Sequence, residues 1–229
     1  MLKPKKKITI TKKDMKEDKL VTSYFQATTW VEQNKKLVQS VGLGIVIVVV
    51  IAYAVINNMT TNSHLASTKL GAILSYYDQG KYELAINGEQ NIEGLQSIVD
   101  NYGSTAAGGF AKFYLANSYF SIGNFDKALE YFEDANLKGD YLSASSIAGA
   151  AACYEAKGLH EKAADYFEKA AYKDNKDVLT PSNLFKAGQN FTLAGKKEKA
   201  IEVFKRIKKE YPTSEYAREV DRYIAQASL

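Results

Sequence analysis

The stretches GNFDKALEYFEDA at residues 123–135 and GLHEKAADYFEKA at 158–170 are two variants of one pattern. A third variant, GKKEKAIEVFKRI, occupies 195–207, and a shorter one, GKYELAI, occupies 80–86. Their leading glycines are 43, 35 and 37 residues apart. A pattern that recurs at such intervals indicates stacked copies of one supersecondary unit, each of which buries its apolar face against the next.

The pattern predicts a pair of antiparallel helices in each unit. The glycine ends the first helix in a left-handed conformation, and the alanine five residues later lies where the two helices approach most closely. The phenylalanine nine residues after the glycine packs back onto the first helix. These repeat-structural residues are Gly123, Ala128 and Phe132, then Gly158, Ala163 and Phe167, then Gly195, Ala200 and Phe204.

The first helices carry a matching signal, because a small residue and an aromatic residue precede each glycine by seven and four positions. The pairs are Ala116 with Tyr119, Ala151 with Tyr154, and Gly188 with Phe191. In this register the chain from about residue 66 resembles the tetratricopeptide repeat family, with three regular repeats and an irregular first one. A longer second helix, NGEQNIEGLQSIVDNYG at 87–103, is expected to account for the spacing of 43, and a helix from Ser214 is expected to close the end.

Residues 37–56 form a nearly uninterrupted apolar run, LVQSVGLGIVIVVVIAYAVI. Twenty residues in a helix extend about 30 Å, the thickness of a bilayer's hydrocarbon core, so the run predicts a transmembrane helix. Ala52-Tyr53-Ala54 matches a signal-peptidase site, but the preceding segment of 36 residues is long for a signal peptide and Val55 continues the apolar run. A retained anchor is therefore predicted in an all-α protein.

The charge distribution predicts the orientation of this anchor. Residues 1–36 contain ten lysines and four acidic residues, whereas the remainder of the chain has a net charge of −2. Basic segments stay on the cytoplasmic side, and these lysines, which lack interleaved aromatics, indicate contact with anionic lipid and not nucleic acid. The expected segments are a cytoplasmic tail at 1–36 with an amphipathic helix beside the membrane, a transmembrane helix at 37–57, a linker at 58–66 and a periplasmic repeat domain at 67–229.

The residues that catalysis or metal binding would require are sparse. His64 lies in the polar linker, His160 lies in a repeat turn, and Cys153 lies among small apolar residues of a first helix. No HExxH, CxxC or GxSxG motif surrounds them. The protein is therefore predicted to be no enzyme, with no cofactor and no metal.

Tetratricopeptide arrays bind peptides in a groove lined by their first helices. The resemblance places nine residues in that groove: Phe113, Asn117, Phe120, Ser145, Ala148, Ala152, Phe185, Gln189 and Thr192. The mixture of aromatic, amide and small side chains suits diverse polypeptide segments. The alternative is that the aromatic residues pack against neighbouring helices and the groove is structural.

The complete plan resembles the YfgM family of bacterial inner-membrane proteins, in a version similar to that of Bacteroidota-type bacteria. The resemblance implies an ancillary subunit of the SecYEG translocon that works beside a periplasmic chaperone of the PpiD type and receives secreted or membrane polypeptides. A small-residue face at Ser40, Gly42 and Gly44 would pack against another transmembrane helix. The alternative is a structural adaptor that scaffolds a different assembly, such as secretion or cell-division machinery.

Overall fold

The computed structural model describes residues 12–173 and 179–228, with side chains from Val21 onward. Of the basic tail, residues 1–11 lie outside the described residues. The described elements, in chain order, are α1 (Lys12–Gln33), α2 (Lys35–Asp78), α3 (Tyr82–Asn87), β1 (Gly88–Glu89), β2 (Ile92–Glu93), α4 (Leu95–Tyr102), α5 (Ala106–Ser121), α6 (Phe125–Asp134), α7 (Asp140–Ala156), α8 (His160–Lys173), α9 (Thr180–Leu193), α10 (Lys197–Glu210), the 3₁₀ turn Tyr216–Arg218 and α11 (Val220–Ala227). The chain divides into two units, Met1–Asn58 and Met59–Leu229.

The first unit is almost entirely helical where it is described, and its apolar side chains are exposed. By length and composition α2 could cross a membrane. The side chains of the apolar run are not covered by other described residues; Val48, for example, is 66% exposed and Tyr53 is 72% exposed. On α1 the aromatic residues Tyr24, Phe25 and Trp30 are likewise more than half exposed. Residues 58–66 are helical, so the boundary between the units falls within α2.

Each helical hairpin of the second unit turns at its glycine. Gly123 has φ +81°, a left-handed conformation that L side chains rarely adopt. The Gly123 N–H donates to Phe120 O, and the next N–H, of Asn124, donates to Tyr119 O at 2.9 Å. These two hydrogen bonds form a Schellman motif, which satisfies carbonyl groups that the helix end would otherwise leave unpaired. Gly80, Gly158 and Gly195 end their helices in the same way.

The core of the second unit lies between the paired helices. The alanine of each regular repeat is fully buried, and each phenylalanine is at most 4% exposed; these residues are Ala128, Ala163, Ala200, Phe132, Phe167 and Phe204. The small residues of the first helices make room for the rings. A Cβ atom on Gly188 would lie 2.5 Å from Phe204 Cε1, and one on Gly149 would lie 2.4 Å from Phe132 Cε1.

The prediction of a long second helix in the first repeat is wrong. Residues 87–103 contain a two-stranded antiparallel hairpin, β1–β2, between the short helices α3 and α4. Gly88 has φ +80°, and a Cβ on Gly94 would lie 2.3 Å from Ile86 O, so a continuous helix gives way here to a tight backbone crossing. The hairpin is held to α2 by a hydrogen bond from the Tyr76 hydroxyl to Glu89 and by an ion pair between Lys69 and Glu93.

The predicted C-terminal capping helix is present as the 3₁₀ turn Tyr216–Arg218 followed by α11. Val220 and Ala227 are buried against the last repeat. The Arg222 side chain is exposed on α11 and bonds Glu219. The cap thus buries the apolar end of the last repeat under a short amphipathic helix. The fold is a nearly all-helical tetratricopeptide solenoid, as predicted.

Candidate functional site

The predicted groove residues of the first regular repeat are occupied by contacts within that repeat. The Phe113 ring meets the buried Phe132 ring edge-on, with centroids 5.8 Å apart, and the Phe120 ring lies 5.3 Å from that of Phe125. The Asn117 amide donates to the Phe113 carbonyl on its own helix. All three side chains are half-buried, and these contacts support the hairpin.

Phe185, predicted to face the groove, lies beneath the cap. It is 8% exposed, and its ring centroid lies 4.8 Å from that of Tyr223 and 5.1 Å from that of Tyr216. On its other side it contacts Phe204 at 5.9 Å. The cap residues come from beyond the last repeat and cover Phe185, so it contributes packing and almost no surface.

Gln189 and Thr192, one turn further along α9, line a cavity of about 270 Å³. The other lining residues are Glu155 at the end of α7, Leu193 of α9, and Tyr223 and Gln226 of α11. The structure therefore brings together two of the predicted groove residues with four that the sequence reasoning did not select. For Glu155 a signal was present, because it precedes its turn glycine by three residues, as Phe120 and Thr192 precede theirs.

A buried polar network holds the carboxylate of Glu155. The fully buried Asn190 donates from Nδ2 to Glu155 Oε1 at 2.7 Å and to Lys186 O at 3.0 Å. Asn190 Oδ1 lies 3.0 Å from His160 Nδ1, which donates to it. A buried amide whose donors and acceptor are all engaged has one favourable orientation, so the network fixes the carboxylate at the mouth of the cavity.

A second polar contact recurs between successive repeats. The Tyr119 and Tyr131 rings stack, with centroids 5.8 Å apart, and both hydroxyls donate to Gln96 on α4. One repeat later, Tyr166 donates to Glu133 on α6 at 2.8 Å, and Tyr154 does so at 3.4 Å. The hydrogen bond to the Glu133 carboxylate raises the pKa of Tyr166. These tyrosines join neighbouring repeats, a role that the sequence reasoning missed.

A larger cavity of about 360 Å³ lies between α6, α7 and α8. Four of its polar side chains are engaged, because Ser146 donates to Phe132 O, Ser143 donates to Leu137 O, and Tyr166 and Glu133 bond each other. The ammonium group of Lys169, which also lines it, lies 5.3 Å from the centre of the Tyr166 ring.

The remaining candidates, Cys153 and His160, have structural roles. Cys153 is fully buried, and burial raises the pKa of its thiol to about 12, whereas a reactive cysteine needs a thiolate. His160 belongs to the Asn190 network. Within the described residues, no three His, Cys, Asp or Glu side chains are grouped so that they could hold a metal ion.

The comparisons with known proteins agree with this geometry. Residues 113–178 and 182–214 match two family profiles, both described as tetratricopeptide repeat. Two crystal structures of a Podosopora anserina protein, described as a putative kinesin light chain with nearly identical TPR-like repeats, have the same fold; one of them carries a single substitution. Each superposes with a TM-score of 0.55 at 16% identity over 72% of this chain, and the overlap covers 85% of the substituted chain and 86% of the other.

No curated protein matches the chain. The profile matches show tetratricopeptide repeats at residues 113–178 and 182–214, and the fold of the second unit is that of a tetratricopeptide solenoid. Domains of this class are generally non-catalytic scaffolds for protein–protein interaction.

Proposed function

We propose that the protein is a non-enzymatic, membrane-anchored adaptor that holds polypeptide segments beside the SecYEG translocon, on the periplasmic face of a bacterial inner membrane. The observation that carries the proposal is that one helix, Lys35–Asp78, contains both the exposed apolar run and the first buried residues of the repeat domain. The partners implied by the resemblance to the YfgM family are the translocon and a PpiD-type chaperone.

The apolar run supports the anchor on energetic grounds. None of its side chains is buried by the described part of the chain, and an exposed apolar surface of this length indicates contact with a membrane or another protein. The aromatic-rich second half of α1 would lie at the headgroup level, where Tyr and Trp are enriched. The lysines on its N-terminal side support a cytoplasmic position for that end, because basic residues flank membrane spans on the cytoplasmic side.

Anchoring also lowers the affinity for polypeptide that the repeat domain needs. A binding site tethered beside a channel exit meets emerging chains at an effective concentration in the millimolar range. A site that binds single side chains weakly is then sufficient, which suits the small cavity at Glu155. The same weakness would allow each segment to leave and fold.

Gentle purification tests the proposed partner. The full-length protein, tagged at its C-terminus and extracted in mild detergent, should retain SecY, SecE or SecG. In the helix Ser40 and Gly44 share one side and Gly42 lies opposite, so only the first two can form a common small-residue face. Gly44→Leu, which fills that side, should reduce this retention, whereas Val46→Leu, on the side away from Gly44, should not. Recovery of division or secretion machinery without any Sec subunit would refute the proposal and favour the structural adaptor.

Cysteine labelling tests the orientation. A membrane-impermeant maleimide should label Thr61→Cys in intact spheroplasts, and it should label Ser23→Cys only after the membrane is permeabilised; both positions are exposed. The native Cys153 can stay in place because it is buried and its thiol pKa is about 12. The opposite labelling pattern would put the repeat domain in the cytosol and end the proposed role.

A further inference from the structure

We infer that the cavity between α7, α9 and α11 binds a single arginine or lysine side chain of an extended partner polypeptide. The inference rests on the proposed function in one respect, namely that the repeat domain binds polypeptide. It adds the chemical class of side chain that the domain selects and the residue that selects it, Glu155.

The charge of the cavity is the first argument. Of its six lining residues, Glu155 alone is charged, and Gln189, Gln226 and Thr192 add neutral polar groups. Only one carboxylate oxygen, Oε1, receives the short hydrogen bond from Asn190. The second oxygen, Oε2, has Lys186 Nζ at 4.0 Å, at the outer limit of an ion pair. A carboxylate in this state readily accepts charge-assisted hydrogen bonds from a ligand cation.

The neighbouring cations do not fill the cavity. Lys186 has a half-exposed side chain, and its ammonium group lies 5.2 Å from the centre of the Phe167 ring. The guanidinium of Arg222 lies 5.0 Å from the centre of the Tyr223 ring and bonds Glu219. Exposed pairs of this kind contribute little to stability, so a ligand cation displaces Lys186 at little cost.

The size and walls of the cavity fit one long basic side chain. About 270 Å³ is below the roughly 300–1,000 Å³ typical of small-molecule sites. Leu193 is 64% exposed at its rim, and the half-buried Tyr223 ring forms a second apolar surface. Arginine and lysine bury their methylene stems against such surfaces while the charged group reaches a carboxylate.

The charge preference of this cavity is opposite to that of a site for acidic chain ends. Such a site needs convergent lysines, whereas this cavity has a fixed carboxylate and two glutamine amides. An acidic segment would place like charges together in a partly buried site, which is unfavourable. The adaptor is therefore selective for segments in which a basic residue lies among apolar ones.

A matched pair of peptides tests the inference. Full-length protein in mild detergent is titrated into a fluorescein-labelled nonapeptide that has one central arginine flanked by leucine and serine, and binding is followed by anisotropy. The control peptide has citrulline, an uncharged isostere, in place of arginine. We expect the arginine peptide to bind about tenfold more tightly, with the difference shrinking as salt screens the charge.

Variants then assign the effect to the cavity. Glu155→Gln keeps an oxygen that accepts from Asn190 and should abolish the preference for arginine. Lys186→Met removes the competing cation and should strengthen binding of the arginine peptide severalfold. The exposed Glu198→Gln on α10 is the matched control and should leave binding unchanged. Gln226→Lys puts a cation into the cavity at an exposed position and should also abolish the preference for arginine.

Two results would overturn the inference. Equal binding of the arginine and citrulline peptides would do so, and so would an arginine preference that survives in Gln226→Lys. Because Gln226→Lys does not touch the Asn190 network, it decides the matter even if Glu155→Gln lowers the melting temperature. Retention of Sec subunits is measured separately, so the inference can fail while the proposed function stands, and the reverse.

Discussion

Replacing Gly188 by alanine should destabilise the repeat domain, although alanine is the better helix former. Gly188 lies within α9, and a Cβ there would be 2.5 and 2.7 Å from Cε1 and Cζ of Phe204. The Phe204 ring cannot easily retreat, because it is fully buried and has Phe185 at 5.9 Å and Tyr223 at 5.6 Å. The added methyl group therefore has to move a packed ring.

The expected size follows from two opposing terms. Gly→Ala in a helix interior gains about 1 kcal/mol, and forcing an extra methyl group into a packed core costs about 1–3 kcal/mol. We expect a net loss of about 1 kcal/mol for Gly188→Ala, which lowers the melting temperature by about 2–4 °C. Gly71→Ala is the matched control, since nothing lies within 4 Å of its added Cβ. It should gain about 1 kcal/mol.

Thermal unfolding of the full-length protein in detergent, followed by far-ultraviolet circular dichroism, measures both changes. The double variant Gly188→Ala with Phe204→Leu isolates the clash. Leucine lacks the outer ring atoms, so Gly188→Ala should be less damaging in that background than in the wild type. If Gly188→Ala raises the melting temperature as much as Gly71→Ala does, the argument from the Phe204 contact is wrong.

The remaining predictions concern buried and half-buried side chains of the repeat domain. Phe185→Ala should lower stability by about 3–5 kcal/mol, as buried aromatic truncations do, and a melting curve unchanged from wild type would contradict its burial. Cys153 should resist maleimide until denaturant unfolds the domain, as mass spectrometry of labelled protein will show. Tyr166→Phe should cost about 1 kcal/mol, whereas Tyr172→Phe, which removes a longer hydrogen bond from a more exposed tyrosine, should cost much less in the same urea titration. Since the raised pKa of Tyr166 keeps its phenol protonated in the folded state only, wild type should lose stability more steeply than Tyr166→Phe above about pH 10.

The helical hairpins were predictable because their signals are local. A glycine such as Gly123 ends its own helix through hydrogen bonds to residues a few positions back. The alanine and phenylalanine that follow need only the partner helix of the same hairpin. The first repeat breaks the rule for an equally local reason, since Gly88 and Gly94 permit a backbone crossing that a helix cannot make. Two glycines six residues apart within a proposed helix were the available warning.

The candidate site was only half predictable, because it depends on where the last helix returns. The groove positions taken from the family assume that another repeat follows. The repeat formed by α9 and α10 is followed by the cap instead. Tyr216 and Tyr223 of that cap cover Phe185, whereas Gln189 and Thr192, a turn later, stay at the edge of the covered region. The cap thus covers one predicted groove residue and adds Tyr223 and Gln226 to the walls of the cavity that Glu155 lines. A terminal cavity of this kind is specific to the end of the array, so substitutions in the cap should change ligand selection without changing the repeats.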